Sequence, residues 1–366
     1  MPKKETKDIQ EELLRFGEQL GFRTYKERRV HSSASYAPVY DVIWYLELDK
    51  IFDFSKLEPL FKNDQEWMAR LKNLPFAGFE IEGSATTSKN QLGNFANIYS
   101  GNFLYGFVIV NNGAANGEND TYRRGIKLHR YFSEAYGNRN VFFLDQTHLF
   151  TSMARVSNFS PRIAIDDNVS GDRGTFGGET ASVSIYEKIQ DIINGSGLTI
   201  KQNFAPPITK IRYAMLKECF SDLNSDRSKF ILTQNFHFDP QNERIMESKR
   251  VSDSLYIPKL DLVMGFQASP GFTDWLHCMA DALKDDHVHY PLLYGLKNRI
   301  INELFIPLIS IEIEATLNKH LNGGICNMAN YSYVGVVVTN KDAASHVEYF
   351  RRHLGIQNVI SYCVEE

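Results

Sequence analysis

The sequence predicts an α/β fold built from two copies of one domain. Three observations carry that prediction. Strand-like apolar runs alternate with amphipathic helical runs, as expected of sheets flanked by helices. An acidic strand, Phe79-Glu80-Ile81-Glu82, returns as Ile311-Glu312-Ile313-Glu314. The elements around these two strands follow in the same order in each half. At 366 residues the chain also has room for two ordinary domains.

Each half opens on a helical pattern, "DIQEELLRFGEQL" (Asp8–Leu20) and "ITKIRYAMLKECF" (Ile208–Phe220). Each then carries a strand with one aspartate in apolar surroundings, Asp41 in "PVYDVIWYL" and Asp261 in "PKLDLVMGF". Helical insertions follow, so that Asp41 and Glu80 are 39 residues apart and Asp261 and Glu312 are 51 apart. Eleven residues separate Glu82 from "NFAN" (Asn94–Asn97), and twelve separate Glu314 from "NMAN" (Asn327–Asn330). Their asparagines lie three apart on one helix face and are assigned to packing. Next are the apolar strands "YGFVIVNN" (Tyr105–Asn112) and "VGVVVTNK" (Val334–Lys341). A helix and strand close each half, "YFSEAYGNRNVFFL" (Tyr131–Leu144) against "YFRRHLGIQNVISY" (Tyr349–Tyr362), with Tyr, Phe, Gly, Asn and Val in register. The polar, glycine-rich "DDNVSGDRGTFGGETASVS" (Asp166–Ser184) reads as a joint. The domains are placed at residues 1–155 and 206–366, with a linker over 156–205.

Composition narrows the function classes. A net charge of −4 argues against a general polyanion coat but leaves room for a local basic patch. The densest basic stretches are Lys26–Arg29, Tyr122–Arg130, Ser248–Arg250 and Phe350–His353. The second and fourth fall on or beside equivalent helices, where they could displace counterions from two phosphate backbones. Four cysteines, none in a C-x-x-C pair, fit a reducing compartment. No signal-peptide core or membrane-spanning run is evident, so a cytoplasmic protein is expected. No P-loop or G-x-G-x-x-G turn marks a nucleotide cofactor. The segment Asp285-Asp286-His287-Val288-His289 has metal-ligand residue types but reads as a turn.

The acids carry the chemistry. Alternation along a strand puts Glu80 and Glu82 on one face, and likewise Glu312 and Glu314. Like charges that close, half-buried among Phe79, Ile81, Ile311 and Ile313, need a compensating cation or donor. An aspartate from a neighbouring strand makes three hard oxygen donors, which suits Mg²⁺. Such an ion can acidify water and polarise a phosphoryl oxygen.

This pattern resembles the PD-(D/E)xK nuclease superfamily, the fold of many restriction endonucleases, over most of both halves. The resemblance implies two tandem restriction-endonuclease-like domains, each a mixed central sheet flanked by helices. It implies a Mg²⁺-dependent endonuclease, with Mn²⁺ as a substitute, that hydrolyses both strands of double-stranded DNA to leave a 5′-phosphate. Asp41, Glu80 and Glu82 would form one catalytic site and Asp261, Glu312 and Glu314 the other. Metal would sit on Asp41 with Glu80 and on Asp261 with Glu312. The family usually has lysine where Glu82 and Glu314 stand. Lys89 and Lys319 follow the strands and are candidates for phosphate contact. A restriction or defence role, and a pseudo-two-fold monomer rather than a homodimer, complete the expectation. The alternatives are a chain with one working site, which nicks or dimerises, and a non-catalytic DNA-binding or assembly subunit.

Overall fold

The structure, a computed structural model, describes residues 4–30, 37–83, 86–111, 120–136, 141–163, 180–204, 260–282, 305–314, 320–339 and 341–364. It is an α/β protein with two mixed five-stranded sheets flanked by helices. The predicted helix Ile208–Phe220 and the Asp285–His289 segment lie outside the described residues.

The first sheet contains β1 (Arg23–Arg29), β2 (Val39–Glu47), β3 (Asn73–Glu82), β4 (Tyr105–Val110) and β5 (Val141–Asp145), in that spatial order. β1–β2 and β2–β3 are antiparallel, and β3–β4 and β4–β5 are parallel. Every residue of β4 is buried, as expected of a central parallel strand covered on both faces. One face carries α1 (Lys4–Gln19), whose Ile9, Leu13 and Phe16 are buried at helical spacing. The opposite face carries α3 (Ser88–Ser100) and α4 (Asp120–Tyr136), which follow α2 (Gln65–Lys72). There Phe95, Ile98, Tyr99 and Phe132 pack on Val108 and Phe143.

The second sheet repeats this order with β6 (Thr199–Phe204), β7 (Leu260–Gln267), β8 (Phe305–Glu314), β9 (Val334–Thr339) and β10 (Val359–Cys363). β6–β7 is antiparallel, and β8–β9 and β9–β10 are parallel. Gly265 permits a close approach of β7 to β8, because a Cβ there would stand 2.1 Å from the Ile306 carbonyl oxygen. The second repeat starts earlier than the sequence suggests. After α5 (Gln146–Arg155), the stretch read as linker holds α6 (Thr180–Ile193) and β6. Gly21 closes α1 with φ of 87°, and Gly197 stands at the same place before β6 with φ of 76°. Both use the left-handed backbone that favours glycine. The polar composition of residues 166–184 reads as loop and so hides the start of α6 at Thr180.

The chain folds into two compact units, one of residues 1–165, 192–198 and 267–288 and another of 166–191, 199–266 and 289–366. Helix α7 (Pro270–Ala282) therefore belongs with the first sheet, although it follows β7 in the chain. Trp275 lies against Phe16, Trp44, Phe107 and Phe272, and its indole N–H donates to Ser152 Oγ at 3.0 Å. The Asp274 carboxylate accepts from the N–H groups of Ser157 and Asn158, both at 2.9 Å.

Candidate active site

In the first unit the acids gather on the α3 side of the sheet. β2 and β3 are antiparallel with Val42 opposite Phe79, so Asp41 and Glu80 are the next pair along. Their carboxyls lie within hydrogen-bonding reach of each other. The backbone N–H of Ile81 donates to Asp41 Oδ2 at 2.7 Å. Gln10 on α1, itself fully buried, donates from Nε2 to Asp41 Oδ1 at 3.0 Å. Glu82 is fully buried one strand repeat beyond Glu80.

The asparagines assigned to packing are donors to these acids. Asn97 Nδ2 donates to Glu80 Oε1 at 3.2 Å, and Asn94 Nδ2 donates to Glu82 Oε1 at 3.1 Å. Their spacing held the clue. Residues two apart in a strand and three apart on a helix both form a row on one face. A row of amides can therefore serve a row of carboxylates.

Electrostatics follow from burial. Desolvation raises the Asp41 carboxyl above its ordinary value, against the opposing bonds from Ile81 and Gln10. Burial, then the nearby Asp41 charge, push Glu80 well up. Burial lifts Glu82 to about 7, opposed by Thr86, Asn94 and the Arg124 charge. Two touching carboxyls cannot both be ionised in such a place unless a cation intervenes.

Two charged neighbours were not singled out from sequence. Arg124 is held by α3, the β3–α3 loop and its own helix. Its Nε donates to Gln91 Oε1 at 3.1 Å, and Nη2 donates to Thr86 O at 2.8 Å and Thr121 Oγ1 at 3.3 Å. This guanidinium is half-buried beside Glu82. Glu27, hidden in the basic run "KERR", lies between Lys26 and Arg28, which pair with Val42 and Tyr40. It thus faces Asp41 across β1–β2, with φ of 49°, and its charge adds to the rise at Asp41.

The second unit repeats the acid pair. Asp261 and Glu312 lie within hydrogen-bonding reach, and Ile313 N–H donates to Asp261 Oδ2 at 2.9 Å. Burial raises both carboxyls, Glu312 the more strongly. Glu314, half-buried, ends β8. The surrounding residues differ. With Gly21 aligned on Gly197, Tyr186 falls at the place of Gln10 and Asn203 at that of Glu27. With Tyr131 aligned on Tyr349, Asp342 falls at the place of Arg124.

Lys89 is exposed in the first turn of α3, and Lys319 lies outside the described residues. Among the described residues no three His, Cys, Asp or Glu side chains converge as a metal cage. An Asp–Glu oxygen pair still fits Mg²⁺, which commonly takes one or two carboxylates and fills its shell with waters and substrate phosphates. Glu82 Oε2 and Glu312 Oε1 add buried oxygens with no protein hydrogen-bond partner. Comparison with protein-family models, curated proteins and solved structures finds no match to this chain.

Proposed function

We propose that the chain is a Mg²⁺-dependent DNA endonuclease with a restriction-endonuclease-like site in each half. One observation supports this reading above others: both units pair a buried glutamate with a half-buried aspartate, each aspartate clamped by the N–H of the isoleucine after the glutamate. A buried pair of that kind takes up either a proton or a cation. Asp41 with Glu80, and Asp261 with Glu312, would hold the metal. When bound, the metal supplies a more acidic water and neutralises charge on the phosphoryl oxygen. Gln10, Asn94 and Asn97 orient the carboxylates. Arg124 offers a pre-oriented guanidinium for a phosphate oxygen. Glu82, where most of the resembled family has lysine, accepts a proton from the attacking water.

A second reading has its own support. Among the described residues, Gln10 and Glu27 stand beside Asp41 and Arg124 beside Glu82, and in the sequence Tyr186, Asn203 and Asp342 fall at the aligned positions of the second copy. That favours a first site that cuts and a second that binds or regulates, so that one chain nicks a duplex and a pair of chains cleaves it.

The test is digestion of a large natural DNA with Mg²⁺ or with EDTA, followed by sequencing of the ends. Glu80→Gln and Glu312→Gln proteins are run alongside. The two-site reading expects each variant to nick, on opposite strands. The one-site reading expects Glu80→Gln to abolish cutting and Glu312→Gln to leave it unchanged. Absence of metal-dependent cutting across a genome's worth of sequence rejects both.

A further inference from the structure

The tyrosines that open the last matched segment stand out by exposure. Tyr131 on α4 is 60% exposed, and Tyr349 on α9 (Lys341–His353), which follows α8 (His320–Tyr331), is 61% exposed. They are the exposed tyrosines among the described residues, and they fall at the same position of the repeat. The next residue is a phenylalanine in both copies, and it faces inward. Phe132 is buried in the first core, and Phe350 is partly buried against the second. Packing explains the phenylalanines. It does not explain two solvated rings that persist where the rest of the helix has changed.

The residues around each ring indicate a ligand. On α4, Arg123, Lys127 and Tyr131 are all exposed and follow at four-residue spacing, so they form one stripe. On α9, Arg352 and His353 are exposed beside Tyr349. The imidazole of His353 lies parallel to the Tyr349 ring, with centroids 5.9 Å apart and 7° between planes. Arg352 pairs with Glu348 at 2.8 Å and is still largely solvated. Flat aromatic surface bordered by cations matches a polyanion that presents π-faces.

We infer that Tyr131 and Tyr349 are each a stacking platform for an unpaired base, with Arg123 and Lys127, or Arg352 and His353, against the adjoining backbone. This rests on the nucleic-acid reading above and extends it to the strand state of the substrate. It places base contact on the helices one element removed from the acids.

The test uses the full chain in EDTA, so no cleavage is involved. Fluorescence anisotropy measures binding of a fluorescein-labelled oligothymidine and of a duplex of equal length. Tyr131→Ala and Tyr349→Ala are each expected to weaken oligothymidine binding about 5- to 100-fold. The phenylalanine variants are expected to bind like wild type, because the ring is retained. Losses on the duplex should be smaller. Alanine variants that bind oligothymidine as wild type does overturn the platform and leave the nuclease reading standing. A wild-type chain that binds neither probe overturns the reading beneath it. Equal losses on both probes, or a changed sedimentation coefficient in the alanine variants, also overturn the platform, in favour of backbone contact or contact between copies.

Discussion

Replacing Glu82 with glutamine should make the chain more stable at alkaline pH. Glu82 is raised to about 7 from 4.5, mainly because its charge is buried. Between those two values the folded chain keeps a proton that the unfolded chain has released. Stability therefore falls as pH rises through this window, by about 1.4 kcal/mol per pH unit. Over two and a half units the full cost is about 3 kcal/mol, reached above pH 7 and absent below pH 4.5. Glu82→Gln keeps the shape and the acceptor for Asn94 but cannot ionise. For a unit of this size 1 kcal/mol moves the melting temperature by roughly 2–4 °C. The variant should then melt roughly 6–12 °C above wild type at pH 8, with the difference vanishing near pH 4.5. The assay is thermal unfolding in EDTA from pH 4.5 to 8.5, read as the difference between the two proteins, so that other titrating groups cancel. Parallel melting profiles would refute the claim that burial of Glu82 outweighs its hydrogen bonds and the nearby Arg124 charge.

Three further outcomes follow from the same geometry. Mg²⁺ at a hundredfold excess over its Kd should stabilise each unit of the wild-type chain at pH 8 by about 2.7 kcal/mol, and Asp41→Asn combined with Asp261→Asn should remove that gain in a melt. Trp275→Ala should cost about 3–5 kcal/mol in urea unfolding, because it empties a fully buried aromatic site and removes the N–H that Ser152 Oγ accepts from. Gly265→Ala should unfold or severely destabilise the second unit, because its Cβ meets a backbone oxygen, whereas Gly93→Ala on α3 meets nothing within 4 Å and should gain about 0.5–1 kcal/mol in the same assay.

Much of the architecture was legible because a duplicated chain states its pattern twice. β3 and β8 could be paired from their acids, and β4 and β9 from their unbroken apolar runs. What escaped notice involved residues whose type gives no hint of burial. Gln10 reads as the polar face of an amphipathic helix, yet it is inside and bonded to Asp41. Asn94 and Asn97 were seen as a row, but the carboxylates beneath that row only become apparent when α3 is laid on β3. Arg124 looked like one of several cations in a solvated run. Only its bonds to Gln91, Thr86 and Thr121 single it out. The start of the second repeat was obscured by polar composition, and the turn at Gly197 identifies it.

The placement of α7 has a consequence for how the chain is made. The first sheet is synthesised by residue 145, yet Phe272 and Trp275 complete its aromatic core. On the ribosome, the nascent first unit must wait through more than a hundred further residues with the part of that face beside α1 uncovered. Its last packing step is thus a closure over a long loop, which is intrinsically slow. The same arrangement means that cutting the gene at the glycine-rich joint would not yield two self-sufficient halves. The upstream piece would be made without a helix of its own interior and would present an apolar aromatic surface to whatever it met first.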